Sequence, residues 1–194
     1  MLACTLLLAG CSGLQAPKIE KLHTYTLDAR APVKTTQIKR DLLLSVSMPR
    51  ARTGFDTAKM AYLRQPHELE YFAVNRWADT PARMLAPLLV QTLGPGFRAV
   101  VQAPGAVPAN VRLDTELIRL QQDFSTQPSK VQLTLRVQLV DVTDQRVLAV
   151  KLLDETENAA SEDAYGGVIA ANRALQRVLD QLPEFCINGI HPHQ

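Results

Sequence analysis

The sequence predicts an α/β domain in which a mixed β-sheet of about five or six strands packs against two amphipathic helices. The first observation is the strict alternation of apolar and polar residues over positions 131–139, which is typical of a half-buried strand. The other two are apolar residues at helical spacing in the stretches that follow Pro81 and Ser161. Together these patterns indicate one α/β domain.

Composition agrees with a single folded domain. The chain has 194 residues, of which 46% are hydrophobic and 21% are charged, as in an ordinary globular protein. Its net charge of +2 is too small to indicate nucleic-acid binding, so no nucleic acid is expected as a partner. No apolar run reaches the roughly 20 residues that a membrane-spanning helix needs.

The first half of the chain contains strand patterns separated by turns. A buried type of strand is predicted at residues 42–48, and it stops at Pro49. A loop is expected over residues 49–56. Further strands are predicted at residues 23–27, 61–64, 69–74 and 97–101. The strands at 61–64 and 69–74 flank a turn at residues 65–67, so they are expected to form a hairpin.

A helix is predicted from residue 81 to residue 93. Asp79 or Thr80 supplies the N-cap, and Pro81 suits the first helical turn. Its apolar stripe comprises Met84, Leu85, Leu88, Leu89 and Leu93. Gly94 and Pro95 end the helix, and the stripe is expected to lie on the sheet.

Long alternating strands dominate the second half. Residues 111–124 alternate except at Leu117 and Ile118, where two adjacent apolar residues indicate a bulge or a strong twist. The strand at 131–139 is expected to point four polar side chains outward, namely Gln132, Thr134, Arg136 and Gln138. Residues 147–153 return antiparallel, which makes a long hairpin.

The last helix is predicted to begin at Ser161 and to end at Pro183. Ser161 is the predicted N-cap, and Glu162 and Asp163 lie in the first turn, where the helix dipole favours acidic side chains. The predicted buried stripe comprises Tyr165, Val168, Ile169, Leu175, Val178, Leu179 and Leu182. Residues 184–194 are expected to form a flexible tail.

The amino terminus indicates an export signal. Residues 1–10 contain a short apolar run that ends in Ala9 and Gly10, which are small enough for a peptidase groove. The string Leu8-Ala9-Gly10-Cys11 resembles the bacterial lipobox. That resemblance implies cleavage before Cys11 and a lipid on its thiol, and Ser12 in the next position implies transfer to the outer membrane. The alternative is a buried N-terminal strand that contains a cysteine.

Cleavage would leave a lipidated tether at residues 11–24, a domain at residues 25–183 and the tail. Cys11 and Tyr25 can lie at most about 45–50 Å apart when the chain between them is fully extended, so the domain can stand well away from the membrane. No Lys or Arg precedes the apolar run, so the true start codon is expected upstream of Met1.

The cysteines exclude an intramolecular disulfide under this interpretation. Cys4 leaves with the signal peptide and Cys11 carries lipid, so Cys186 is the only thiol that remains free. The stability of the domain is therefore expected to come from packing alone.

The order of these features resembles that of a known family, the ABC-type transport auxiliary lipoproteins, which are related to paraquat-inducible protein C. The shared features are the lipobox, the strand at 42–48, Tyr71 with Trp77 six residues further on, the helix at 81–93, the strand at 113–120, the hairpin at 131–153 and the C-terminal helix. The resemblance covers residues 25–183. It implies a three-layer fold similar to the anticodon-binding domain, and an outer-membrane lipoprotein of an MCE-type system that transports lipid between two membranes.

The implied partner is the periplasmic MCE protein, and the outer membrane is reached through the lipid on Cys11. Identical copies could form a ring around a tubular partner, because ring closure needs only one head-to-tail contact with the right rotation. A sheet edge could supply such a contact by strand addition. Two other functions stay open: an envelope-assembly or lipopolysaccharide-handling lipoprotein, and a periplasmic hydrolase.

The sequence contains no motif that indicates catalysis. Glu68 and Glu70 lie two residues apart, but nothing accompanies them as a nucleophile, and a solvated strand edge explains them better. His191 and His193 could hold a metal weakly, whereas zinc sites use at least three protein ligands. No G-x-S-x-G, phosphate-binding loop or C-x-x-C motif occurs. We therefore expect no enzymatic activity, no ATP hydrolysis, no cofactor and no metal.

The remaining notable residues have simple structural interpretations. His23 and His67 lack the spacing of metal ligands. Trp77 is the only tryptophan and is expected in the core at the sheet–helix junction rather than in an interface. Four basic residues either form a patch toward lipid headgroups or an acidic partner, or belong to a solvated loop: Arg50, Arg52, Lys59 and Arg64.

Overall fold

The structure, a computed structural model, describes residues 20–29, 39–105 and 108–190. These residues form a nine-stranded sheet and two α-helices. The strands are β1 (His23–Tyr25), β2 (Arg40–Val46), β3 (Arg50–Ala51), β4 (Lys59–Leu63), β5 (Glu70–Trp77), β6 (Phe97–Gln102), β7 (Val111–Asp123), β8 (Lys130–Asp141) and β9 (Val147–Asn158). The helices are α1 (Pro81–Leu93) and α2 (Ala164–Gly189), and short 3-10 turns occupy Thr53–Phe55 and Gly94–Gly96.

Strand β7 is the centre of the sheet. On one side it pairs antiparallel with β8 along its whole length. On the other side β2, β3 and β4 follow one another, each parallel to β7, opposite residues 111–113, 116–117 and 121–123. The outer strands attach to these inner ones: β6 to β2, β5 to β4, β1 to β5 and β9 to β8.

The predicted α/β class, with a mixed sheet and two amphipathic helices, is confirmed. The sheet has nine strands, more than the predicted number of about five or six. The two hairpins are confirmed, and so is the bulge, because the pairing of β7 with β8 shifts register between Leu117 and Arg119. Strand β3 lies inside the predicted loop at 49–56, and its two residues are too few to show a period of two.

The helices lie together against one hydrophobic core. Helices α1 and α2 contact each other, and both contribute to the cluster formed by the apolar side of the sheet. Leu89 of α1, Leu113 of β7 and Val178 of α2 are all fully buried in it. Within the described residues, both helices therefore pack with the sheet around one core.

Helix α1 has the predicted bounds, whereas α2 differs from prediction at both ends. Asp163 rather than Ser161 is the N-cap of α2, because its Oδ1 accepts a hydrogen bond from the backbone N–H of Gly166 at 2.7 Å. Ser161 Oγ donates to the same carboxylate oxygen at 2.7 Å. At the other end α2 continues to Gly189, so the predicted end at Pro183 is wrong, and so is a tail that begins at residue 184.

Burial explains why α2 passes through Pro183. A proline inside a helix removes one hydrogen bond and costs about 3 kcal/mol. Leu182 and Cys186 are fully buried, and Ile187 is 6% exposed. Full burial of one large apolar side chain contributes roughly 1.5–3 kcal/mol, so the packing of this last part of α2 offsets the cost of the proline.

The burial of two side chains differs from the prediction. Tyr165, which the stripe placed in the core, is 58% exposed, because in the first turn of α2 it lies beside Tyr25 at the edge strand β1. Thr134, which alternation placed outward, is 3% exposed. Its hydroxyl is covered because it donates a hydrogen bond to the Asp154 carboxylate of β9.

One arginine joins α2 to the second half of β9. Arg177 Nε donates to Glu155 at 2.8 Å, and Nη1 donates to Glu157 at 2.6 Å. Nη2 donates to the backbone carbonyl of Thr156 at 2.9 Å. The hydrogen bond to Glu155 is the largest cause that raises the pKa of Arg177. We call these contacts the Arg177 cluster.

The first turn of α2 contains two glycines, Gly166 and Gly167, because this turn lies against other backbone and side-chain atoms. A Cβ on Gly166 would lie 2.6 Å from Ser161 Oγ and closer still to the Ser161 backbone. A Cβ on Gly167 would lie 2.8 Å from Gln122 Cδ, and closer still to Oε1 of the same side chain. Gln122 is itself 3% exposed, and its amide donates to Ser129 at 3.0 Å.

We predict that Gly167→Ala destabilises the protein by about 1–3 kcal/mol, the usual cost of overpacking a core. In a Gln122→Ala background the same substitution should cost nothing or stabilise by up to about 1 kcal/mol, because the clash is gone and alanine favours a helix. Denaturant unfolding of wild type, Gly167→Ala, Gln122→Ala and the double variant measures the coupling between these two positions. Equal costs in both backgrounds would contradict the proposed contact.

The N-cap of α2 predicts a defined pH dependence. The hydrogen bond from the backbone N–H of Gly166 and the one from the Ser161 hydroxyl lower the pKa of Asp163. The pKa of this carboxylate is lower in the folded protein than in the unfolded chain, where it is about 3.9. Its contribution to the free energy of unfolding is therefore complete above about pH 3.9. This contribution is lost as the pH falls through the pKa of the folded protein. Wild type should therefore lose stability relative to Asp163→Asn below about pH 4. Unfolding curves measured from pH 7 to pH 2.5 test this, and parallel curves would refute it.

Candidate functional site

The predicted lipidation site, Cys11, lies outside the described residues. The described chain begins at Glu20, and its first regular element is β1. A load on the predicted lipid anchor would therefore reach the domain through residues 20–29.

Strand β1 is held along the end of β5. The two strands are parallel, with His23 opposite Asn75 and Tyr25 opposite Trp77. The backbone N–H of Ala78 donates to the carbonyl of Tyr25 at 2.7 Å. The hydroxyl of Tyr25 donates to Asn75 Oδ1 at 3.1 Å. Side-chain and backbone contacts thus fix the same residue of β1.

Helix α2 holds the residues that follow β1. Asn172 Oδ1 accepts a hydrogen bond from the backbone N–H of Asp28 at 2.6 Å, and its Nδ2 donates to the carbonyl of Thr26 at 3.2 Å. Leu27 lies between these two residues and Ala29 follows them. Both side chains are buried, with exposed fractions of 7% and 5%. The segment is therefore attached to the core and to α2, as well as to the sheet edge.

An open groove of about 620 Å³ lies between this segment and the first half of α2. Tyr25 and Tyr165 face each other there with ring centroids 6.1 Å apart, and the ring of His23 stacks on Tyr25 at 6.5 Å. Ile169 and Arg173 complete its mixed apolar and polar lining. Nothing in this lining forms an acid–base pair or a nucleophile with its base.

The tyrosine and tryptophan that carried the family resemblance have structural roles. Trp77 is 4% exposed, which agrees with the predicted core position. The Tyr71 hydroxyl donates to the carbonyl of Gly54 at 2.9 Å and so fixes the 3-10 turn against β5. A Cβ on Gly54 would lie 2.9 Å from Leu69 Cδ2, which shows how closely this turn approaches the strand.

The two neighbouring carboxylates have different partners. Glu70 accepts a hydrogen bond from the Tyr62 hydroxyl at 2.8 Å, and Glu68 accepts one from the Gln65 amide. The hydrogen bond to Glu70 is the largest cause that raises the pKa of Tyr62, followed by burial. This arrangement stabilises a turn and a strand end and does not pair the carboxylates for acid–base chemistry.

Three of the four basic side chains already contact groups within the domain. Arg52 lies 3.3 Å from Glu116, and Arg64 lies 3.9 Å from Glu70. The Lys59 ammonium lies 5.7 Å from the centroid of the Tyr71 ring. These contacts favour the solvated-loop interpretation over a concentrated basic patch.

Within residues 20–29, 39–105 and 108–190, no group of three or more His, Cys, Asp or Glu side chains is placed to hold a metal ion. His191 and His193 lie outside this range. Over the same residues, no helix is long and apolar enough to cross a membrane.

Cys186 is part of the core, which corrects the interpretation that it lies beyond the last helix. It is fully buried in α2. Burial raises the pKa of its thiol to about 12, so the reactive thiolate is scarce at neutral pH. The residue packs the helix end and is not a reactive site.

These observations define a class of protein, an α/β domain whose carboxylates at 68 and 70 and most of whose loop cations make contacts within the domain. Its residues 20–29 are attached to the sheet edge and to α2. The chain belongs to the family of ABC-type transport auxiliary lipoprotein components, whose model matches residues 25–182. The family resemblance recognised in the sequence is thereby confirmed.

Solved structures share this fold. Protein XCC0632 from Xanthomonas campestris is 20% identical and has a TM-score of 0.78, with 86% of this chain and 95% of that chain covered. A second crystal structure, of an uncharacterized protein, is 14% identical and has a TM-score of 0.68, with 85% of this chain and 98% of that chain covered. Among proteins with curated descriptions, none matches this chain.

We predict that Asn172→Ala destabilises the protein by about 1–3 kcal/mol, because it removes the side chain that bonds the backbone at Thr26 and Asp28. Asn188→Ala is the matched control: Asn188 lies exposed on the same helix and has no side-chain hydrogen bond within the described part of the chain. Its effect should stay within about 0.5 kcal/mol.

Hydrogen exchange should localise the effect of Asn172→Ala. Amides of residues 23–29 should exchange faster in the variant, while those of β7 and β8 should keep their protection. Unchanged exchange at residues 23–29 would show that Asn172 does not hold this segment.

Proposed function

We propose that this protein is a docking and scaffold subunit of an MCE-type ABC system that transports lipid between membranes. Lipid on Cys11 anchors it in the outer membrane, with the domain on the periplasmic side. Its partner is the periplasmic MCE protein of that system. The observation that carries the proposal is the family match over residues 25–182, because the family comprises auxiliary lipoproteins of ABC-type transport.

The amino terminus supports the anchoring step. Leu8-Ala9-Gly10-Cys11 provides small residues before a cysteine, and Ser12 follows it. One lipid chain binds a membrane only weakly, whereas the several chains of a mature bacterial lipoprotein hold it stably. The tether at residues 11–24 then gives the domain a reach of at most about 45–50 Å.

The domain supports a binding role rather than a chemical one. In the described residues the carboxylates at 68 and 70 and most of the basic loop are engaged in internal contacts. The sequence has no phosphate-binding loop, so another subunit must hydrolyse ATP. Several copies arranged around a tubular MCE partner would present several such domains to it.

Two measurements test the anchor. In its natural host the mature protein should begin at Cys11 and carry a diacylglycerol mass on that residue. We predict that Cys11→Ser moves the protein from the membrane fraction to the soluble periplasmic fraction, whereas Cys186→Ala leaves it in the membrane fraction. A mature chain that begins elsewhere, or that has a free thiol at Cys11, would refute the anchoring mechanism.

Binding is tested separately with the soluble Cys11→Ser protein. It should capture the MCE protein from periplasmic extract, because the domain and not the lipid makes the contact. Failure of the folded domain to bind an intact MCE protein would refute the docking role. Genes for a permease, an ATPase and an MCE protein next to this one would support the assignment. Their absence would favour the envelope-assembly alternative.

A further inference from the structure

Strands β1, β5 and β4 lie side by side at one end of the sheet. Their register places Arg76 of β5 opposite Thr24 of β1 on one side and opposite Lys59 of β4 on the other. Arg76 comes directly before the buried Trp77, and Lys59 comes directly before the buried Met60. Because successive residues of a strand point to opposite faces, both cations lie on the face that is turned away from the core.

No carboxylate neutralises these two cations. Both are exposed, and neither forms an ion pair with any residue of the described chain. The Lys59 ammonium lies 5.7 Å from the centroid of the Tyr71 ring, a contact that leaves its charge uncompensated. Of the acidic residues close by in the sequence, Asp79 lies 3.9 Å from Arg83 instead, and Asp56 pairs with neither cation. Like charges directly opposite each other in a sheet are destabilising, so this pair has a cost within the domain.

Other arginines on this outer face have carboxylate partners. Arg112 lies 3.0 Å from Asp114 of the same strand, and Arg136 of β8 lies 3.2 Å from Glu116 of β7. These four residues alternate with buried residues of β7 and β8, which places them on the same face as Arg76. The unmatched charge at β4 and β5 is therefore a local feature, and it favours an anionic partner outside the domain.

The predicted anchor enters the domain beside these cations. Lys21 and Leu22 directly precede β1; Lys21 is exposed, and Leu22 is 46% exposed. The chain from Cys11 to Glu20 spans at most about 30 Å when fully extended. A lipid on Cys11 would therefore keep this end of the sheet close to the membrane surface.

We propose that Lys21, Lys59 and Arg76, here called the cation patch, bind the anionic phospholipid headgroups of the membrane that anchors the protein. Each Lys or Arg close to an anionic membrane surface strengthens binding about fivefold. Leu22 adds an exposed apolar side chain, which can be buried at the boundary between headgroups and acyl chains. This inference rests on the proposed anchor, because the tether is what holds the patch near the lipid.

The tether explains why three cations suffice. A contact between two linked bodies is intramolecular, so its effective concentration is high and a weak interaction can set the orientation. An acidic protein could also meet this charge, but the position at the anchored end and the exposed Leu22 favour a lipid surface. The β1 end of the sheet then faces the bilayer, and β6, at the other end of the strand order, stays available to a protein partner.

Vesicle flotation with the soluble Cys11→Ser protein tests the patch without the anchor. At millimolar lipid we expect binding to vesicles of phosphatidylcholine mixed with phosphatidylglycerol. Binding to vesicles of phosphatidylcholine alone should be weaker by at least about fivefold. Raising the salt from about 0.1 M to about 1 M should abolish this difference, because the Debye length falls from about 10 Å to about 3 Å.

Variants that remove one charge locate the contact. Arg76→Gln and Lys59→Gln should each weaken binding to the anionic vesicles about fivefold. Arg98→Gln is the matched control, because Arg98 is an exposed arginine of β6, at the other end of the strand order, and lies 3.6 Å from Asp41. It makes the same change of net charge and should leave binding unchanged.

Denaturant unfolding separates binding from folding. Arg76→Gln should keep or raise the stability of the domain, because it removes one of two opposed like charges. A clear loss of stability would give Arg76 a structural role and overturn its assignment to the patch.

The proposal is overturned by no binding to anionic vesicles, by equal binding to both kinds of vesicle, or by equal effects of Arg76→Gln and Arg98→Gln. Loss of MCE capture by Arg76→Gln, with vesicle binding unchanged, would also overturn it and assign the patch to an acidic protein. The anchor is judged separately by the mass of the mature chain at Cys11, so either claim can fail without the other.

Discussion

The domain depends on the pairing of β7. Its 13 residues have β8 on one side and three short strands in succession on the other. Strands β2, β3 and β4 each match β7 over only two or three residues, too few to be stable alone. Because all three align on one continuous strand, the loops between them, the β4–β5 hairpin and both helices acquire fixed positions around a single core.

Much of this fold follows from local patterns. The α1 bounds, the two hairpins and the β7 bulge could be predicted because proline, helical spacing and strict alternation act over a few residues. Strand β3 could not, because a two-residue bridge has no period and exists only where β7 supplies a partner. The continuation of α2 through Pro183 could not be predicted either, since it depends on burial of Leu182 and Cys186 against a core that the sequence does not reveal.

The candidate site also combines residues that the sequence predicts with contacts that only the structure reveals. The predicted lipidation site at Cys11 rests on a short local string and is visible in the sequence, whereas the attachment of residues 20–29 to α2 is visible only in the structure. Asn172 lies 144 residues from the Asp28 amide that it binds, and no local pattern marks that pair. Tyr71 and Trp77 supported the family resemblance, and their contacts now explain why the fold needs them. The family match over residues 25–182 joins these observations to ABC-type transport.

The attachment at β1 has a mechanical consequence. If the proposed lipid anchor and the proposed partner pulled on this protein from two sides, the force would reach the described part of the chain at Glu20. Three paired residues of β1 would yield first if they alone resisted it. The hydrogen bonds of Asn172 pass the pull onto α2, a helix of 26 residues packed along β8 and β9. A pull at the amino terminus would thus act on α2 as well as on β1, instead of peeling one short strand from its neighbour.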